Sequence, residues 1–327
     1  MKAIVYGRYG APDVLRLEEV AKPVPADNEV LIQVRAASVN PYDWHFMRGT
    51  PIFLRLFSGL FNPKIPRLGS DVAGEVEAVG RGIQQLKPGD PVFGNCQGSF
   101  AEYACAREPR LAKKPRGITF EQAASAGIAG LTALQALRDK GRLQPRQRVL
   151  INGAAGGVGT FAVQIAKALG AGVTGICSGK NVEMVRSIGA DRVIDYNRED
   201  FTKSSERYDL ILDCIGNHSL RECIRAMNPK GTYVMVGGKA GRWFSPMDRS
   251  IAMQVRSCFV SQQLVGIFAK SCTADLSKLG ELMESGKVTP LIDRRYRLSD
   301  VPEAVTYVEE GHARGKVVIT LEGATST

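Results

Sequence analysis

Apolar and polar positions follow two rhythms along this chain. From residue 1 to about 120 the runs are short and mostly alternating. Residues 2–6 open on a strand-like run. Residues 29–38 set Val30, Ile32 and Val34 against Leu31, Gln33 and Arg35, the period-two pattern of a strand with one face partly in water. Residues 72–79 continue the pattern across Gly74. Lys87-Pro88-Gly89-Asp90 makes a turn, and short strands follow at 92–93 and 100–106. Many short strands separated by Gly and Pro predict a small barrel or sandwich.

From about residue 121 the rhythm becomes helix alternating with strand. Residues 120–137 read as helical with a turn inside. Strands are predicted at 149–151, 172–177, 193–196, 208–213 and 232–236, the last ending in Gly237-Gly238. Helices are predicted at 160–169, 181–188 and 219–227, the first two closed by Gly170 and Gly189. Strands alternating with helices predict an α/β doubly wound parallel sheet. After residue 262 the pattern loosens into amphipathic helices at 274–285 and 302–310 and a closing strand at 316–321.

The most informative stretch is RVLINGAAGGVGTFAVQIAKALG, residues 148–170. It runs from a buried strand through a glycine turn into a helix with Phe161, Ile165, Ala168 and Leu169 at helical spacing. In that context a glycine-rich turn predicts a dinucleotide site. Gly156 lets the backbone approach a pyrophosphate, and Gly159 lets the helix pack against the strand. The helix N-terminus then offers free N–H groups to the phosphates. Ala154 stands at the first of the three glycine places. An NAD site usually carries an acid about 20 residues further on. Here the place is held by Cys177-Ser178-Gly179-Lys180-Asn181, and the next acid in sequence is Glu183. A carboxylate repels a ribose 2′-phosphate, whereas a hydroxyl and an ammonium bind it, so Ser178 and Lys180 favour NADP(H).

Residues 51–66, PIFLRLFSGLFNPKIP, are apolar but broken by Arg55, Gly59 and Pro63. They suit either a core-packing loop or a lid, substrate wall or dimer contact. The length of 327 residues suggests two domains, and 44% hydrophobic with 23% charged residues is ordinary for a globular protein. The net charge of +10 raises the question of nucleic acid. Yet the basic clusters near residues 107–116, 138–148 and 294–297 lack interleaved aromatics or a recognition motif, so no specific nucleic acid is expected. Seven cysteines at 96, 105, 177, 214, 223, 258 and 272 show no C-x-x-C spacing. They predict reduced, mostly buried thiols, hence a cytoplasmic protein. No signal peptide and no membrane-spanning run is expected.

Taken in order, RAASVNPYDW (35–44), RLGSDVAGEVEAVG (67–80), KPGDPVFG (87–94), FAEYA (100–104), GLTAL (130–134), the glycine-turn segment, GADRVIDY (189–196) and GKVVIT (315–320) resemble the medium-chain dehydrogenase/reductase superfamily. The resemblance is to its zinc-independent quinone oxidoreductase branch, which includes zeta-crystallin, and covers essentially the whole chain. It implies a GroES-like β-barrel catalytic domain built from 1–122 and 263–327, with a Rossmann NADP-binding domain over 123–262. It implies no metal site. Zinc-dependent relatives carry a cysteine near the place of Asn40, Gly-His-Glu where this chain has Gly69-Ser70-Asp71, and a four-cysteine lobe in whose region this chain has only Cys96 and Cys105, too few and too widely spaced.

Without a Lewis acid, the suitable acceptors are those that delocalise the incoming charge, namely quinones and activated α,β-unsaturated carbonyls. The expected catalytic positions are Asn40, Tyr42 and His45, with Asn40 facing nicotinamide and substrate, Tyr42 and His45 as carbonyl donors, and Asp43 anchoring the loop. The expected cofactor contacts are Asn40, Thr132, Ala155, Gly156, Gly157, Val158, Ser178, Lys180, Asn181, Tyr196, Val236, Gly237 and Lys316. The implied activity is an NADPH-dependent quinone or enone reductase, with a homodimer as the family's common assembly. Reduction of an enoyl thioester or alkenal is the alternative activity. A non-catalytic, crystallin-like or nucleic-acid-binding role is the alternative of another class.

Overall fold

The computed structural model describes residues 1–237, 247–257 and 259–321. Gly238 and Cys258, for which the sequence predicts a strand end and a reduced thiol, lie outside those residues. The chain forms two compact units. One comprises Met1–Leu131, Lys270–Gly286 and Pro290–Thr327, and the other Thr132–Ala269 with Lys287–Thr289.

In the first unit, β1 (Lys2–Val5) and β2 (Arg16–Glu19) pair as an antiparallel ribbon. The main sheet contains β3 (Glu29–Val39), β4 (Asp71–Val79), β5 (Pro91–Asn95), β6 (Tyr103–Arg107) and β7 (Leu111–Lys113). Two late strands, β14 (Ile292–Arg297) and β15 (Lys316–Thr320), complete it to seven. The long strand β3 is its centre and pairs with β4 along one edge. The other edge is shared, its first half by β6 and its second half by β15. This position changes the expected burial. Val30, Ile32 and Val34 join a core with Val72, Val76 and Val92, while Ala37 and Val39 enter a second core with Val301, Val317 and Ile319. Leu31 is buried too, so β3 has little of the solvent face that its alternation suggests.

The helix Pro41–Arg48 was not expected from the period-two pattern around it, although its boundaries are written in the sequence. Asn40 precedes it in an extended conformation, Pro41 opens the first turn and Gly49 closes it with φ of 59°. Residues 51–66 form only the short turns Ile52–Leu54 and Arg55–Ser58. Leu56, Leu60, Phe61 and Ile65 are exposed, whereas Ile52, Phe53 and Leu54 are half-buried and Pro51 is buried.

The second unit holds a parallel sheet of β8 (Arg148–Asn152), β9 (Gly172–Cys177), β10 (Arg192–Asp195), β11 (Tyr208–Asp213), β12 (Met227–Met235) and β13 (Gln263–Gly266). Its order, β10-β9-β8-β11-β12-β13, is that of two βαβαβ halves joined at β8 and β11. Leu150, Ile176, Ile194, Ile211 and Tyr233 build a core on it. The sixth strand was missed in the sequence because four residues with an exposed Gln263 carry no readable period. The chain then returns to the first unit, where β14 (Ile292–Arg297) pairs with β15 (Lys316–Thr320). Among the described residues no helix is long and apolar enough to cross a membrane.

Candidate functional site

The register of the first unit's sheet builds a buried polar cluster. Asp71 opens β4 opposite Ser38 on β3, and opposite Asn95 on β5. Val317 pairs with Val39, which brings Lys316 to the same end of the sheet as Asn40. Asp71 uses both carboxylate oxygens. Its Oδ2 accepts from Ser38 Oγ at 2.6 Å and Asn40 Nδ2 at 2.9 Å. Its Oδ1 accepts from Asn95 Nδ2 at 2.9 Å and the Ile128 N–H at 2.7 Å. Lys316 Nζ lies 3.5 Å from Asp71 and donates to Asn40 Oδ1 at 2.5 Å. Burial holds the Lys316 ammonium below its ordinary pKa, against the opposing pull of Asp71 and Asp43. Ser38, Asn95 and the Asp71 hub were not among the expected site residues. They are brought together from three separate strands, and no local motif signals that.

This cluster decides what Asn40 can do. Its amide donates to Asp71 Oδ2 and to the Ser38 carbonyl at 3.2 Å, so both amide protons are engaged. Its oxygen is occupied by Lys316. The Asn40 N–H donates to Asp43 Oδ2 at 2.7 Å, which ties the buried Asp43 to the helix start. Burial pushes the Asp43 carboxyl up to about 7, with the Asn40 N–H opposing and the Asp71 charge adding to the rise. His45 stacks on Trp44 at 3.6 Å, and its Nδ1 donates to the Thr50 carbonyl at 2.8 Å. Burial lowers its pKa, against the opposing pull of the Thr50 carbonyl and Glu309. Tyr42 differs from both. It is 45% exposed and lines a cavity of about 270 Å³ within this unit. Tyr6, Asp43, Lys64, Arg67 and Arg110 share that lining, and neither Asn40 nor His45 does.

In the second unit the glycine turn has the stereochemistry that its sequence predicts. A Cβ on Gly159 would stand 2.1 Å from the Gly153 carbonyl oxygen, so only glycine fits beneath the helix. Gly153 itself has φ of 88°. A Cβ on Gly156 would meet nothing nearer than 3.5 Å, which leaves its face open to a ligand. Gly156 is the N-cap of the helix Gly157–Ala168, and no side chain caps that helix start. The turn is pinned by Asn152, the last residue of β8. Its Nδ2 donates to Asp213 Oδ1 at 2.9 Å and to Asn217 Oδ1 at 2.8 Å. Asp213 Oδ1 also accepts the Ile215 and Gly216 N–H groups, and Oδ2 accepts from Tyr233 OH at 2.6 Å.

The other expected cofactor residues fall in two groups. Ala155 is buried within the glycine turn, and Gly157 and Val158 begin its helix. Thr132 is buried, and Val236 and Gly237 follow the end of β12 half-buried. Ser178 and Lys180 follow β9, with Ser178 half-buried and Lys180 exposed. Asn181 is buried and donates from Nδ2 to Ser178 Oγ at 3.2 Å. Tyr196 is exposed just beyond β10. Lys316 lies in the Asp71 cluster of the first unit. The sequence also concealed an acid. Asp195 ends β10 beside β9, and a Cβ on Gly179 would lie 2.7 Å from its Oδ2. That carboxylate is held by the Asn197 N–H and side chain, and Arg198 Nε stands 3.7 Å away.

The six cysteines among the described residues are free thiols. No group of three or more His, Cys, Asp or Glu side chains among the described residues is arranged to hold a metal.

The family description "Alcohol dehydrogenase GroES-like domain" matches residues 26–116, and "Zinc-binding dehydrogenase" matches residues 188–319. The mitochondrial NAD(P)H oxidoreductase RTN4IP1 of Bos taurus is 36% identical over 356 residues, covering 98% of this chain and 89% of that protein. The chloroplastic NADPH-dependent alkenal/one oxidoreductase of Arabidopsis thaliana is 35% identical over 335 residues, covering 98% and 79%. The solved quinone oxidoreductase from Coxiella burnetii superposes with a TM-score of 0.87 at 31% identity, covering 98% of this chain and 99% of that one.

Proposed function

Because the chain belongs to the medium-chain dehydrogenase/reductase superfamily, in its zinc-independent quinone oxidoreductase branch, we propose that it transfers a hydride from NADPH to a quinone or an activated α,β-unsaturated carbonyl. The observation that carries this reading is the turn after β8. It combines an open Gly156 with an uncapped helix start, a cradle suited to a pyrophosphate. When bound, NADPH supplies the hydride and its electron pair.

This chain's residues then have distinct tasks. The N–H groups of Gly157 and Val158 hold the pyrophosphate. The Ser178 hydroxyl and Lys180 ammonium take the 2′-phosphate, and Arg198 offsets the Asp195 carboxylate at that turn. Tyr196 covers the adenosine phosphate, and Thr132, Val236 and Gly237 line the nicotinamide. Tyr42 donates to the oxygen on which negative charge develops, a role supported by its place in the cavity wall. Asn40 is a positioning residue. Its protons are engaged by Asp71 and Ser38, and it fixes the helix start that presents Tyr42. Family membership supports a homodimer, which light scattering reads directly, and the free cysteines support a reducing compartment such as the cytoplasm.

The test is NADPH and NADH oxidation against a quinone panel and an enone panel. The expected result is turnover with NADPH preferred. The double variant Ser178→Asp with Lys180→Ala raises the NADPH dissociation constant far more than that for NADH. Tight NADPH binding with no oxidation by either panel refutes the enzyme reading, and equal loss of both cofactors refutes the phosphate assignment.

A further inference from the structure

The cavity beside Tyr42 has a lining that a neutral quinone or enone leaves unused. Three cations, Lys64, Arg67 and Arg110, border it together with the Tyr6 and Tyr42 rings. Its one acid is Asp43, which is buried and committed through Oδ2 to the Asn40 N–H. Among the described residues none of the three cations forms an ion pair or side-chain hydrogen bond. Other arginines of this surface are of both kinds: among the described residues Arg81, Arg107 and Arg116 are also unpaired, while others are ion-paired. Arg35, Arg48, Arg148, Arg186 and Arg192 each hold a carboxylate within 3 Å.

The cations also act on the wall of the cavity. Burial raises the Tyr42 phenol, Asp43 adds to the rise, and Arg110 opposes it. Burial raises the Cys96 thiol as well, and both Arg67 and Arg110 oppose that rise. Cys96 lies in the same lining, so the two guanidinium fields converge on this cavity. Two planar guanidinium groups and an ammonium, unpaired and around one small space, form a receptor for a carboxylate.

We propose that the cavity binds the carboxylate of an acidic acceptor, so that the preferred substrates are small enones or quinones carrying a carboxylate on the end opposite the carbonyl that Tyr42 faces. This rests on the hydride-transfer reading above and adds the substrate's charge to it. Its volume of about 270 Å³ suits a short acyl chain or a single ring. Arg67 and Arg110 grip the carboxylate, Lys64 adds charge from the exposed rim, and Tyr42 faces the carbonyl. Because the rim is open to water, the preference weakens as salt is added.

The test uses 4-oxopent-2-enoate and its methyl ester, which share an enone and differ in charge. Their saturated products, 4-oxopentanoate and its methyl ester, serve as binding probes for the NADPH-loaded protein in a calorimeter. The wild type is expected to bind the acid product at least about tenfold more tightly than the ester, the scale of one charge-assisted contact. The double variant Arg67→Gln with Arg110→Gln is expected to abolish that ratio, while Arg67→Lys with Arg110→Lys retains part of it. The acid-to-ester ratio of kcat/KM on the enones should follow the same order. Equal wild-type affinity for acid and ester overturns the proposal, as does a ratio untouched by the glutamine variants. Loss of NADPH oxidation with every quinone and enone, while the acid preference persists in binding, instead refutes the underlying reductase reading.

Discussion

Two buried aspartates organise the two units, and one of them does so beside a buried ammonium and a second buried acid. Asp71 sits at the start of β4 and Asp213 at the end of β11. Each gathers donors from neighbouring strands and from backbone N–H groups. Each also pins a candidate functional loop. Asp213 holds Asn152, the residue before the glycine turn. Asp71 holds Asn40, the residue before the helix that carries Tyr42 and Asp43. Asp213 gathers amides, N–H groups and a phenol. Asp71 shares its surroundings with a buried ammonium, Lys316, and a second buried acid, Asp43.

The largest expected effect comes from Lys316→Met, which strands Asp71 and Asp43 beside each other without their cation. It should cost about 3–5 kcal/mol in denaturant unfolding, the range for breaking a buried pair. Asn152→Ala removes one neutral donor from Asp213 and should cost about 1–3 kcal/mol, with weaker NADPH binding alongside. Equal costs for the two variants would erase the contrast between ammonium and amide.

The second effect is a pH dependence belonging to one unit. Asp43 keeps its proton in the folded state up to about pH 7, whereas an ordinary Asp releases it near pH 3.8. The folded chain therefore binds more protons than the unfolded chain across that interval. The stability that Asp43 contributes is complete below the lower value and is lost as pH rises through about 7. Over roughly three pH units the loss amounts to as much as about 4 kcal/mol. Urea unfolding of wild type and Asp43→Asn at a series of pH values measures it, since the variant cannot titrate there. Parallel profiles would contradict the protonated Asp43.

Much of the second unit was legible because its constraints are local. A glycine turn declares itself by composition, and Gly159 proved to be the position with no room for a side chain. The Asp71 cluster was not legible, since residues 38, 71, 95 and 316 meet only through sheet register. Asp195 escaped for the same reason, being brought beside Gly179 by parallel pairing. The Pro41–Arg48 helix was legible in Asn40, Pro41 and Gly49, but eight residues within a β-rich pattern were read as a loop. Asn40, Tyr42 and His45 were expected to act together. The cavity takes only Tyr42 of the three.

The smallest expected effects sharpen the Asp213 side of the comparison. Gly159→Ala forces a methyl group against a backbone carbonyl and should cost about 1–3 kcal/mol. Gly156→Ala, with open space before it, should cost about 1 kcal/mol or less while weakening NADPH binding. Thermal unfolding with and without NADPH separates the two. If Gly156→Ala leaves NADPH affinity unchanged, the pyrophosphate does not lie on that glycine.

Hydride transfer itself is tested most directly by isotope. NADPH deuterated separately on each face of nicotinamide C4 is oxidised by the wild type with an enone as acceptor. The account predicts that deuterium from one of the two isomers is recovered on the β-carbon of the saturated product, and that none is recovered from the other. NADPH consumption with no label in the product from either isomer would contradict it.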